Sequence, residues 1–238
     1  MSLYVYCLCE ALTPQGVEGV EGVEGASPRV EAFGKLFAAV SEFEGARVKL
    51  TRENIEAHNR VNTRVLAETT PLPFRFGTLV EEARLEAYLR ANEEALLAAL
   101  RRVRGAVEMS VKVLWDTQSE LRDALGRASS DEGEVASSVG DGRAFLAAKR
   151  RELAGEAALQ ERAAEVRAWL AAGLGDAVRE ERVSVSPSQA LVVRAAHLVE
   201  RARLEAYRER LERLRAERAE RLRFLTSGAW PPYSFGEI

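Results

Sequence analysis

With 238 residues, 47% of them hydrophobic and 30% charged, the chain has apolar material for folded cores and charge enough to keep its outside wet, so a soluble globular protein is expected. A net charge of −3 and a pI near 5.7 argue against nucleic acid as a partner, because domains that bind it carry a basic excess. No apolar run reaches the roughly 18 residues that a spanning helix needs, and residues 1–7 lack a basic flank or a cleavage site, so no membrane partner and a cytoplasmic location are expected.

In chain order, Leu3-Tyr4-Val5-Tyr6-Cys7-Leu8-Cys9 is aromatic and β-branched and predicts an interior strand that starts a first sheet. Cys7 and Cys9, two apart, share a face and read as small buried groups. A metal would need three or four ligands, and the only histidines, His58 and His197, lie far apart in sequence, so neither metal nor cofactor is expected. Residues 16–25 write Val-Glu-Gly three times; a period of three suits neither helix nor pleated strand and predicts a flexible loop. Arg29 to Phe33 and Leu36 to Val40, with Gly34-Lys35 between, predict a tight hairpin.

Thr51 is a good N-cap for a helix that places Ile55, His58, Asn62, Val65 and Leu66 on one face. A His and an Asn inside an apolar stripe point to a buried His held by hydrogen bonds rather than to catalysis, since no carboxylate or nucleophile accompanies it at helical spacing. Pro71-Leu72-Pro73-Phe74-Arg75-Phe76-Gly77-Thr78 is held extended by its prolines and is followed by a helix predicted from Leu79 to about Val103, packed on the first sheet through Leu85, Leu89, Leu96 and Leu100. Arg75 points away from its flanking phenylalanines and is expected in an ion pair rather than on a phosphate. Gly105 stops the helix, and residues 106–115 alternate as a strand with Val107, Met109, Val111 and Val113 on one face. A domain boundary is placed here, giving domains 1–104 and 105–238.

Polar, small residues from about 117 to 142 predict a mobile loop. An Ala-rich helix follows to about Ala172, with a contact face of Leu146, Leu153, Ala157 and Ala164. Val183 to Ser186 and Leu191 to Val199 predict two strands joined by Pro187-Ser188-Gln189. From Glu200 to about Glu220 a helix carries Leu204, Tyr207, Leu211 and Leu214. Its charges read as a solvated face laced by pairs such as Glu209 with Arg213 and Glu217 with Arg221, with docking of a partner helix as the alternative. A last strand, Leu222 to Thr226, completes β-α-β-β-α-β, so the fold class is α+β with a ferredoxin-like second domain. The tail, residues 226–238, holds Trp230, Pro231, Pro232, Tyr233 and Phe235 after a turn at Gly228. Its rings on a stiff strap read as a clasp on the chain's own core or as a partner-binding tip.

The tail, Leu225-Thr226-Ser227-Gly228-Ala229-Trp230-Pro231-Pro232-Tyr233-Ser234-Phe235, resembles the L-T-G-P-W-P-P-Y-S-F signature of the gas vesicle protein F/L family, with an extra Ser and with Ala229 in place of a Pro. Residues 71–78 resemble that family's V-L-P-L-R-F-G-T element, and residues 103–116 and 142–146 are similar to it as well. The resemblance covers nearly the whole chain. It implies two α+β domains and a non-catalytic gas vesicle accessory protein, cytoplasmic and on the vesicle, that binds the hydrophobic shell protein and other accessory proteins and supports nucleation and assembly. Family-motif residues expected to meet a partner are Leu72, Pro73, Phe74, Arg75, Phe76, Gly77, Thr78, Trp230, Pro231, Pro232, Tyr233 and Phe235. The residues themselves name no reaction, having no P-loop, dinucleotide fingerprint or Ser-His-Asp set. The alternative is a cytoplasmic enzyme or small-ligand sensor on a ferredoxin-like scaffold.

Overall fold

Residues 3–9 are apolar on both faces and so belong inside a sheet, which is where the computed structural model, describing residues 2–115, 141–184 and 191–236, places them. Strand β1 (Ser2–Cys9) lies between β3 (Leu36–Phe43) and β4 (Leu72–Pro73), with β2 (Arg29–Phe33) outside β3 and β5 (Leu79–Glu81) also paired to β1. All four pairings are antiparallel. The predicted hairpin is present: Phe33 pairs with Leu36, and Gly34 takes a φ of 64° at the first turn position, as a II′ turn needs.

Simple alternation along β1 fails at one point. Val5 faces Val40 but Cys7 faces Ala39, so Tyr6 is the extra residue of a β-bulge. The bulge resets the phase, and Tyr4, Tyr6, Cys7 and Cys9 all enter one buried cluster with Ala57, Val61 and Val65 of helix α1 (Arg52–Glu68). Both thiols are free and buried. Fully burying a Val contributes about 1.5–3 kcal/mol, so the two valines of α1 alone anchor the helix firmly.

Thr51 caps α1 as expected, its Oγ1 accepting from the Asn54 N–H at 3.3 Å. The buried face is Asn54, Ala57, His58, Val61, Asn62, Val65 and Leu66, while Ile55, expected inward, is 38% exposed. Asn54 takes the inward position because it has polar work there: its Nδ2 donates to Lys49 O at 2.9 Å and its Oδ1 accepts from Glu24 N–H at 3.0 Å.

That second bond corrects the expectation of a flexible Val-Glu-Gly loop. The tract runs between short turns at Pro14–Gly16 and Val23–Gly25, the second with Glu24 at a φ of 54°. Val17 and Val23 are buried, and the Val23 N–H donates to the Tyr6 hydroxyl at 2.9 Å.

The long helix expected from Leu79 is also different. Residues 79–81 form β5 instead, because β1 offers them an open ladder (Leu79 opposite Tyr4, Glu81 opposite Ser2). The helix then comes in two pieces, α2 (Glu82–Ala91) and α3 (Glu93–Val103), broken at Asn92, whose Nδ2 donates to Tyr88 O at 2.8 Å. Leu85, Leu89, Leu96 and Leu100 are buried as their spacing predicts, and α2 and α3 pack on β5, β2 and β4.

Contacts divide the chain into two compact units, one gathering Met1–Met109, Leu198–Ala202 and Gly228–Ile238, the other Ser110–His197 and Arg203–Ser227. Residues 228–236, which the sequence reading attached to the second half, therefore belong to the first unit.

The second sheet is also antiparallel and runs β7-β8-β6-β9, where β6 is Ala106–Trp115, β7 Glu180–Ser184, β8 Leu191–Glu200 and β9 Leu222–Trp230. Strand β9 runs on through Gly228, where a turn was expected. The loops predicted at 117–142 and 187–189 lie outside the described residues, apart from the start of helix α4 (Asp141–Leu174). Ala157 and Ala164, expected at its contact face, are exposed; Ala163, Val166, Leu170 and Leu174 are buried instead. Helix α5 (Leu204–Glu217) buries Tyr207, Leu211 and Leu214. Within the helix the ion pairs among the described residues are Arg208–Glu205 and Arg215–Glu212, one turn apart as i,i+3 pairs, and not the predicted Glu209–Arg213 or Glu217–Arg221, while Arg210 pairs with Asp176 at 2.7 Å. Trp169 of α4 meets Phe224 edge-on at 6.2 Å, and Tyr207 of α5 bonds His197 Nδ1 at 2.8 Å.

Candidate partner-binding site

The Pro71–Thr78 block is built onto β1 through its backbone. Leu72 and Pro73 pair with Leu8 and Cys7, the Phe74 N–H donates to Tyr6 O at 2.8 Å, and the Val5 N–H donates to Thr78 O at 3.1 Å. Between these anchors the chain turns outward. Thr78 donates to Arg75 O from both its N–H and its hydroxyl, and the Gly77 N–H donates to the Tyr4 hydroxyl at 3.2 Å. Phe76 is thereby turned inward, its ring 5.9 Å from His58 and 6.4 Å from Tyr4, whereas Arg75 is exposed. The ion pair expected of Arg75 is not found among the described residues.

Under this block lies a neutral polar network. His58 Nδ1 sits 2.8 Å from the Tyr4 hydroxyl and Nε2 3.0 Å from Asn62 Nδ2. Burial pushes the imidazole down from 6.5 to about 4, because the charged form loses its water; a backbone bond to Phe74 opposes the effect weakly. Burial likewise raises the Tyr4 and Tyr233 phenols. With both ring nitrogens engaged, His58 serves as the buried, hydrogen-bonded histidine that its place in the stripe suggested. His197, in the second unit, is similarly lowered to about 4 by burial. No group of three or more potential metal ligands occurs among the described residues.

The tail is tied down by one carboxylate and one amide. Glu108, buried in β6, accepts from the Ser234 N–H at 2.7 Å and the Ser234 hydroxyl at 2.8 Å, and Tyr233 donates to Asn59 Oδ1 at 3.0 Å. Pro231, Pro232 and Phe235 are buried, Tyr233 is half-buried, and Trp230 is 40% exposed. The segment thus divides the two roles weighed for it: its prolines and Phe235 fill the fold, and its Trp does not. Gly228 allows the approach, since with φ at 133° a Cβ there would lie 2.8 Å from Glu108 O and 2.7 Å from Met109 Sδ.

Both motif blocks meet in one concavity of about 290 Å³. Leu72, Pro73, Phe74, Arg75 and Thr78 form one wall, Tyr233 and Gly236 the other, and Leu8 and Tyr88 complete it. Of the other motif residues, Pro231, Pro232 and Phe235 are buried and Phe76 half-buried, Gly77 makes the turn, and Trp230 lines a different surface. Sequence reasoning missed Leu8, Tyr88, Gly236, Asn59 and Glu108. Glu108 left one signal, a carboxylate in a strand whose neighbours are nearly all apolar. No helix among the described residues is long and apolar enough to cross a membrane.

The framework is a mixed one of helices and two antiparallel sheets, and the hollow that it displays is lined by apolar side chains with Arg75 among them. The chain belongs to the GvpL/GvpF family of gas vesicle synthesis proteins, whose model matches residues 2–237. It is similar to gas vesicle protein F1 of Halobacterium salinarum (27% identity over 207 residues, 85% of this chain and 78% of that one). It is also similar to gas vesicle protein F of Haloferax mediterranei (25% over 247 residues, 100% and 94%). The fold is shared with crystal structures of GvpF from Anabaena sp. (TM-score 0.81, 20% identity, 100% of this chain and 96% of that one) and Microcystis aeruginosa (0.80, 19%, 100% and 99%).

Proposed function

We propose that the chain is a non-catalytic accessory protein of the gas vesicle that holds the hydrophobic shell protein and supports its nucleation and assembly into the wall, alongside other accessory proteins, in the cytoplasm and on the vesicle. The observation that carries this reading is the meeting of the two motif blocks in a single hollow, with exposed Tyr88 and Arg75 at its rim. A segment with an apolar face fits such a hollow, and shielding that face from water until it is placed in the wall keeps it from aggregating. The second sheet supports a ferredoxin-like reading of its unit: strands and helices alternate as β-α-β-β-α-β, and the first and third strands of that series lie side by side at the centre. The rival reading, an enzyme or small-ligand sensor on the same scaffold, gains nothing from the family membership.

Co-expression with a gas vesicle shell protein and affinity capture of this chain tests the proposal. Wild type should recover the shell protein, and Arg75→Glu with Tyr88→Ala should recover much less at an unchanged melting temperature. Failure of the wild type to capture it, or equal capture by the variant, would refute the assignment of this surface.

A further inference from the structure

A second surface of the first unit lies outside the hollow just described. The exposed side of α1 forms the floor of an open groove of about 600 Å³, walled by Val20 of the Val-Glu-Gly tract and by Trp230 of the tail. The two stretches that the sequence singled out for odd composition thus present an apolar side chain each to one place.

The charges on the floor are unbalanced. Arg60 and Arg64, one helical turn and so about 6 Å apart along the axis, both line it. Arg60 makes no ion pair or hydrogen bond among the described residues, and Arg64 reaches only the carbonyl of Gln15, at 3.3 Å. The one carboxylate in the groove, Glu56, is held by Arg52 at 2.7 Å. Two guanidinium groups without carboxylate partners, beside a half-exposed indole and a valine, make a surface complementary to carboxylates one turn apart that flank an apolar side chain.

We propose that this groove docks an acidic amphipathic helix of a partner protein, its carboxylates on Arg60 and Arg64 and its apolar residue between Val20 and Trp230. The inference goes beyond the shell-binding reading and does not depend on it, because the partner is defined by its chemistry. An anionic membrane is the poorer fit: lipid-binding clusters gather about four to eight basic residues, whereas this groove has two, on a chain of net charge −3.

Titrating the full chain into a fluorescein-labelled helical peptide, with a leucine stripe bordered by glutamates one turn apart, and following anisotropy gives the test. Binding is expected, with a loss of about tenfold or more in Arg60→Glu, whose exposed position leaves the fold intact, as its melting temperature should verify. A peptide with lysines for glutamates should bind Arg60→Glu better than wild type. The proposal is overturned if the glutamate peptide does not bind, if both peptides bind wild type equally, if Arg60→Glu has no effect, or if wild type binds phosphatidylserine vesicles in preference to the peptide. Arg60 lies outside the hollow of Arg75 and Tyr88, so failure here leaves shell capture by that hollow unaffected, and the reverse also holds.

Discussion

Acidification should weaken the fold through His58, by an amount that follows from its burial. In the unfolded chain the imidazole protonates near 6.5, and in the fold only near 4. Between those values the unfolded chain takes up a proton that the fold refuses, so stability falls as pH drops through this window and is unaffected above it. At about pH 4.5 the penalty amounts to about 2.5 kcal/mol, a large share of the 5–15 kcal/mol that holds a typical domain. His197 acts in the same direction, and carboxylates titrate nearby, so the informative quantity is the difference between wild type and His58→Gln, which cannot gain this charge. The variant should start less stable at neutral pH, having lost the imidazole's bonds to Tyr4 and Asn62, but should lose about 2 kcal/mol less on acidification to about pH 4.5. Urea denaturation at a series of pH values measures both slopes. Parallel slopes would mean that the imidazole protonates as easily inside as outside, and the account of a locked neutral histidine would be wrong.

Three other substitutions probe features that local sequence patterns understate. Gly228→Ala places a Cβ against backbone at Glu108 in a conformation that L side chains avoid, and should lower stability by about 1–3 kcal/mol in thermal melts; an unchanged melting temperature would contradict the close approach. Within the Val-Glu-Gly tract, Val23→Ala empties a fully buried site and should cost about 2 kcal/mol, whereas Val20→Ala, partly buried, should cost about 0.5 kcal/mol or less. Equal effects at the two valines would show the tract to be the loose loop that its repeat suggests.

Much of the framework was legible because it rests on short-range rules. Residues 106–115 alternate cleanly and form one strand, Gly34-Lys35 makes the predicted turn, and Thr51 caps the helix that it precedes. What escaped depends on partners distant in sequence. The bulge at Tyr6 is invisible in β1 alone, since it appears only in the register with β3. Asn54 displaces Ile55 from the buried face of α1 because Glu24, thirty positions earlier, supplies a donor. Residues 79–81 have the composition of a helix start and become a strand because β1 lacks a neighbour there. In the candidate site, the block at 71–78 and the tail were both marked by their prolines and aromatics. That they meet in one hollow, and that Glu108 ties the tail down, required the fold.

The discontinuity of the first unit bears on how the protein is made. Strand β6 leaves the ribosome well over a hundred residues before Ser234, yet Glu108 receives its two bonds from that serine. During translation the rest of the first unit must therefore wait, with Asn59 and Glu108 lacking their tail partners, while the whole of the other unit is synthesised. A newly emerging polypeptide in this interval carries sticky, unsealed surface, which ties the yield of finished molecules to elongation speed and to chaperone supply.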